Sequence, residues 1–197
     1  MKEYNLLFTG VGGTGVVTAA RIVATAAIAE GLNVRVGEIH GMSQRLGAVT
    51  STVRIGDSVH GSIIPPGKAD LILTVELIEA LRCADRMNTD GTFIVGMLHM
   101  APTAVLLDRA TYPSDEEVLN ELKKYASVVT VDAVRLARDA GSVMSVNIVL
   151  VGSAFGLGKI PLKEKAIISA LKEVLRPRYH EVNIKAFELG MKAVAGT

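Results

Sequence analysis

The chain has 197 residues, enough for one domain with a full hydrophobic core and short for two. Its 21 Lys and Arg balance 20 Asp and Glu, so it lacks the basic surplus of a nucleic-acid or anionic-membrane binder, and at 49% hydrophobic residues it does not read as disordered. A single cysteine, Cys83, excludes an intrachain disulfide and a thiolate cluster site and fits a reducing cytoplasm.

Taken in order, Tyr4 to Thr9 (YNLLFT) predicts a first strand. Thr14 to Glu30 then places Val16, Val17, Ala20, Ile22, Val23, Ala26 and Ala27 at helical spacing, with Gly31 positioned as the C-terminal cap. Asn33 to Glu38 predicts a second strand. In the next segment Val49, Ser51, Val53 and Ile55 alternate with Thr50, Thr52 and Arg54, and Gly56-Asp57-Ser58 turns into Val59 to Ile63; this predicts an antiparallel pair and therefore a mixed sheet. Pro65-Pro66-Gly67 closes that ribbon.

Asp70 to Val75 predicts a buried strand, Glu76 to Met87 a helix, Asn88 to Gly91 a turn, and Thr92 to Met97 another strand. Ser114 with Glu117 three residues on forms a capping box for a helix reaching Ala126. Ser127 to Asp132 is a further strand, and the helix after it, capped by Asp132, ends at Gly141. From Val143 onward the chain is helical: a small-residue segment, then Leu162 to Leu175 behind Pro161, then Val182 to Ala195. Asn147, in the apolar part of this region, needs a backbone partner if buried. The expected architecture is a three-layer α/β/α Rossmann-like domain with a mixed, mostly parallel sheet, spanning 1–197 without linker or repeat. The apolar stretch of MKEYNLLF is too short for a signal peptide, and Val143 to Leu157 is broken by Ser145, Asn147, Gly152 and Ser153, so no membrane span is expected.

Between the first strand and helix stands GVGGTG, in which Gly10, Gly12 and Gly15 spell G-x-G-x-x-G, with Gly13 and Thr14 between them. A tight turn into a helix N-terminus presents unpaired N–H groups and partial positive charge, which suits a phosphate or other anion. The same glycines equally let a strand and a helix pack closely with no ligand at all. Glu38, 23 residues past Gly15, stands where a dinucleotide fold carries its ribose-binding acid. However, the polar loop and ribbon after Glu38 interrupt the βαβ rhythm, and no proton-transfer pair follows, so an NAD-binding dehydrogenase takes second place.

The second concentration of chemistry is EIHGMSQRLG, where Glu38, His40, Met42, Gln44 and Arg45 crowd together and Gly41 and Gly47 supply backbone freedom. Arg45 can clamp a carboxylate or phosphate with two hydrogen bonds, His40 can donate to the same anion, and Met42 suits a protein partner. The plainer alternative pairs Arg45 with Glu38 and has His40 cap a strand end. His60, His99 and His180 are too scattered for a metal, and Lys172, Arg176 and Arg178 complement a helix C-terminus.

Together, GVGGTGVVTAARI, EIHGMSQRLGAVTSTVRIG and PPGKADLILTVELIEALR resemble the gamma-type subunits of the 2-oxoacid:ferredoxin oxidoreductases, most nearly the beta subunits of indolepyruvate ferredoxin oxidoreductases. The resemblance runs over essentially the whole chain; Leu46 departs from it, standing where the family more often has glycine. It implies a complex that decarboxylates an aryl 2-oxoacid on thiamine diphosphate and Mg, passes electrons through [4Fe–4S] clusters to ferredoxin, and releases an acyl-CoA. This chain holds neither the Gly-Asp-Gly…Asn segment for the thiamine cofactor nor cysteines for a cluster, so a large partner subunit is expected to bring both and to contact ferredoxin. No catalytic residue and no metal are assigned to this chain. The resemblance leaves it an interface role beside the active site, with Gly10, Gly12, Gly13, Thr14 and Gly15 facing an anionic group of coenzyme A. Glu38, His40, Gly41, Met42, Gln44 and Arg45 are then expected along the partner interface or substrate path. In isolation, a second copy is expected to cover the apolar docking surface.

Overall fold

The computed structural model describes residues 3–41, 47–101, 105, 107–109 and 111–195. The chain runs β1 (Tyr4–Val11), α1 (Val16–Ala29), β2 (Val34–His40), β3 (Ala48–Ile55), β4 (Ala69–Glu76), α2 (Leu77–Arg82) and β5 (Met87–Leu98). It continues through α3 (Asp115–Leu122), β6 (Ser127–Thr130), α4 (Ala133–Ala140), α5 (Val146–Gly156), α6 (Glu164–Val174) and α7 (His180–Ala193).

The six strands form one sheet in the order β2-β3-β1-β4-β5-β6. β1, β4, β5 and β6 are mutually parallel, whereas β3 runs antiparallel to both its neighbours, β1 and β2. The sheet is thus mixed and mostly parallel, as expected, with helices on both sides. Alternation along the strands sorts the core. Leu6, Phe8, Val53, Leu71, Leu73 and Ile94 pack with α1, α4, α5, α6 and α7, while Leu7, Ile72, Phe93 and Val95 pack with α2 and α3 on the opposite face.

Two expectations are corrected. The antiparallel partner of β3 is not Val59 to Ile63, which forms no strand, but β2, reached through the connection 41–47. The carbonyls of the expected strand are taken by side chains instead: Arg54 donates to Gly61 O and Ile63 O, each at 2.9 Å, and Thr52 Oγ1 to Ser62 O at 2.7 Å. That segment therefore crosses the sheet face over β3 and extends no edge. Second, Asn88 to Gly91 lies inside β5, with a register shift against β4 between Ala69 and Leu71, so the predicted turn is an irregularity in a longer strand.

α5 is the most deeply set helix, with Val146 through Ala154 all buried. Its small residues are explained by α7: a Cβ on Gly152 would collide with Phe187 backbone, and one on Gly190 with Val149 backbone. Such close approach fixes where α5 begins, and its first turn carries Asn147 against the glycine turn.

Candidate functional site

β1 ends in the glycine turn, and β2 and β3 meet at the same end of the sheet, because β2 runs parallel to β1 with β3 reversed between them. Segments roughly thirty residues apart are thereby joined. Gly12 N–H donates to Gly47 O at 2.9 Å, and Gly41 N–H to Ala48 O at 2.9 Å.

The turn is held from within and from without. Thr14 Oγ1 donates to Val11 O at 2.8 Å, and the amide of buried Asn147 donates to Thr14 O at 2.7 Å, which supplies the backbone partner that Asn147 was expected to need. Gly13 (φ 93°) and Gly15 (φ 87°) occupy the left-handed region that side chains disfavour. At Gly10 the requirement is space, since a Cβ would lie 3.1 Å from methyls of both Val16 and Val75. Close packing thus explains Gly10, and backbone conformation explains Gly13 and Gly15. Gly15 gives α1 no side-chain cap, and its first turn carries no Asp or Glu, leaving the N–H groups there without an acidic neighbour on the helix.

The turn and the β2–β3 connection together enclose a cavity of about 730 Å³, lined by Gly12, Gly13, Gly15, His40, Gly41 and Met144 among others. Five of the sequence-derived site residues, Gly12, Gly13, Gly15, His40 and Gly41, therefore share one space. Met144 was not anticipated; it stands 63% exposed at the rim, and nothing in its apolar surroundings in sequence marks it. Glu38 lines a different cavity of about 370 Å³, and its carboxylate engages His40 Nε2 at 3.1 Å. Met42, Gln44 and Arg45, with Leu46, lie outside the described residues.

Cys83 borders that second cavity, its thiol near Thr9 Oγ1 at 3.8 Å, and burial pushes its pKa up despite the Thr9 and Thr50 hydroxyls. A partly buried thiol whose pKa is raised is a poor nucleophile. Among the described residues no group of three or more His, Cys, Asp or Glu is placed to hold a metal ion, and no helix is long and apolar enough to cross a membrane. His99 instead bonds Asp115 at 2.5 Å and packs edge-on against Tyr112, whose hydroxyl donates to the buried Glu76.

Residues 5–193 match the family model described as pyruvate ferredoxin/flavodoxin oxidoreductase. The indolepyruvate oxidoreductase subunit IorB of Pyrococcus horikoshii is 42% identical over 98% of this chain and 96% of that protein. Two solved structures share the fold. The gamma subunit of the keto/oxoacid ferredoxin oxidoreductase of Geobacter sulfurreducens is 22% identical, covering 98% of this chain and 99% of that one at a TM-score of 0.72. The 2-oxoglutarate:ferredoxin oxidoreductase of Magnetococcus marinus, solved with 2-oxoglutarate, coenzyme A and succinyl-CoA, aligns with 99% of this chain but only 31% of its own, at 17% identity and a TM-score of 0.74. The same architecture therefore occurs both as a separate subunit and within a longer polypeptide. With nearly its whole length matched by the family model and by a relative at this identity, the chain belongs to the pyruvate ferredoxin/flavodoxin oxidoreductase family.

Proposed function

We propose that this chain is the small, gamma-type subunit of a cytoplasmic indolepyruvate:ferredoxin oxidoreductase, contributing surface rather than a reactive centre. In that reading a large partner subunit brings thiamine diphosphate, Mg and [4Fe–4S] clusters. These decarboxylate the aryl 2-oxoacid and carry its electrons to ferredoxin. One cysteine cannot ligate a four-iron cluster, so the clusters do not fit this chain.

What this chain does is bind and position. The glycine turn faces a phosphate of coenzyme A, through the N–H groups at Gly13, Gly15 and the start of α1. His40 and Gly41, with Met42, Gln44 and Arg45 beyond them, border the path between that group and the partner subunit. The observation that carries the reading is the convergence of the glycine turn and His40–Gly41 on one cavity, in a chain 42% identical to an indolepyruvate oxidoreductase subunit.

The test is co-expression with the thiamine diphosphate-carrying subunit, followed by purification and assay of ferredoxin reduction. A stable heteromer that reduces ferredoxin only with both an aryl pyruvate and coenzyme A supports the proposal. Turnover of a metabolite by the purified chain alone with NAD overturns it. If Arg45→Ala leaves assembly and coenzyme A-dependent turnover unchanged, the part assigned to the β2–β3 connection is wrong.

A further inference from the structure

β2 stands at one edge of the sheet and is exposed on both faces as well as along its free side. Val36, which pairs with Val53 on the α1 side, is 44% exposed, and Ile39, which pairs with Thr50 on the other side, is 59% exposed. Ile63, 64% exposed, lines the cavity of about 370 Å³ together with Gly37 and Ile39. Edge strands are ordinarily kept from pairing by proline, a bulge, shortness or cover. At the far edge of the sheet β6 has only four residues. β2 has seven, contains no proline, and pairs with β3 along its whole length without a bulge.

The ladder shows which backbone groups β2 leaves open. Gly41 N–H donates to Ala48 O at 2.9 Å and Gly56 N–H to Asn33 O at 3.0 Å, the two ends of one antiparallel register. Bonded and non-bonded pairs alternate along such a register. Arg35, Gly37 and Ile39 therefore turn their N–H and C=O groups to β3, and Val34, Val36, Glu38 and His40 turn theirs outward. Among the described residues, only the Val34 carbonyl of that outward row has a partner, the exposed guanidinium of Arg35 at 3.0 Å, which an incoming strand can displace.

A second copy of β2 fits this row. Across a two-fold axis, outward residues must meet outward residues, so only registers that bring one residue of β2 against itself remain. Centred on Arg35 or Glu38, the pairing sets like charges directly opposite each other. Centred on Val36, it leaves His40 without an opposite in the strand. Centred on Gly37, it joins Val34 to the copy's His40 and Val36 to the copy's Glu38, and every outward group of both strands is used. On the cavity side the same register lays the aliphatic stem of Arg35 across the exposed Ile39 of the copy.

We infer that two copies of this chain join along β2, antiparallel about Gly37, so that their sheets run on as one. The inference rests on the sheet alone and not on the function proposed above.

The full chain, isotopically labelled, is followed by sedimentation and by amide hydrogen exchange across a dilution series. A dimer is expected in which the Val34, Val36, Glu38 and His40 amides are protected and lose that protection on dilution, while Arg35, Gly37 and Ile39 stay protected throughout. Val36→Pro removes an outward N–H and no bond to β3, so it folds and weakens the dimer at least about tenfold. Ile39→Glu and Ile39→Lys set opposite charges across from Arg35 of the copy, twice per dimer, and the Glu variant associates about tenfold more tightly than the Lys variant. The exchange pattern and the Ile39 pair decide the matter if Val36→Pro does not fold. A monomer at every concentration, a dimer whose outward β2 amides exchange freely, a folded Val36→Pro chain that dimerises like the wild type, or Glu and Lys variants of equal affinity overturns the inference.

Discussion

Substituting alanine for Gly152 tests whether the close contact between α5 and α7 governs the helical side of the fold. In an exposed helix the change stabilises by about 1 kcal/mol, because alanine loses less backbone entropy. Here the new Cβ would fall 2.8 Å from the Phe187 carbonyl carbon and 3.0 Å from its Cα, nearer still to the carbonyl oxygen, where ordinary contact begins at 3.4 Å. The carbonyl carbon alone must withdraw by about 0.6 Å, and it belongs to helix backbone that cannot rotate out of the way. Overpacking of this kind costs about 1–3 kcal/mol when side chains can yield and more when they cannot, so the net expectation is a loss of about 3 kcal/mol. Gly190→Ala meets Val149 backbone in the reciprocal contact and should behave alike, whereas Gly158→Ala, with φ at +67° and nothing within 4 Å, should cost only the strain of a left-handed residue, about 1–2 kcal/mol. Urea unfolding of the three full-length variants measures the differences. A Gly152→Ala chain as stable as the wild type, or less affected than Gly158→Ala, would refute the argument.

Arg54 is buried and donates to Asn5 Oδ1, Gly61 O, Ile63 O and Glu3, so Arg54→Met should cost about 3–5 kcal/mol in urea unfolding by stranding those acceptors, while Glu3, a third exposed, accounts for little of it. Ser114→Ala removes half of a complete capping box and should lower stability by about 1 kcal/mol, measured the same way. Burial raises the Glu79 carboxyl above its ordinary 4.5, an effect that Arg82 at 2.7 Å opposes and Glu76 reinforces. A folded-state pKa that is raised contributes stability fully present below 4.5 and lost as pH rises through the folded value. Glu79→Gln should therefore gain on the wild type as pH rises from 4.5 through the raised folded value in paired unfolding curves, and a constant difference between the two would contradict it.

Features that depend on neighbours a few residues away were legible before any coordinates. The Ser114–Glu117 box and the Asp132 cap, which accepts from Arg135 N–H, are local hydrogen bonds whose partners lie three residues on, so sequence spacing alone specifies them. The alternation in β3 was also readable, and the structure turns Val49, Val53 and Ile55 to the α1 side as that pattern requires. Pairing was not readable. Val59 to Ile63 has the composition of a strand, yet Arg54 and Thr52 capture its carbonyls from the adjacent face, a competition invisible until β3 is placed beside it. The need of Asn147 for a partner followed from its burial, but Thr14, 133 positions earlier, emerges only once α5 is packed against β1 and α1. Met144 offered no signal at all, since a methionine at a cavity rim and one in a core look alike in sequence.

The position of β3 also argues against a dinucleotide site at this glycine-rich turn. In the nucleotide-binding arrangement the second strand lies directly beside the first, bringing an acid at its end within reach of a ribose whose phosphate sits on the turn. Here β3 is inserted between β1 and β2, so the end of β2 is two strand spacings from the turn, about 9–10 Å in place of about 5 Å. Glu38 is further committed to His40 and faces another cavity. The chain entering β3 also lies against the turn, its Gly47 carbonyl accepting from Gly12 N–H. The cavity at the turn instead shares Gly15, Thr18 and Met144 with a neighbouring hollow under α5 and α7. A turn so placed lacks the strand-end acid that the ribose half of a nicotinamide dinucleotide site requires.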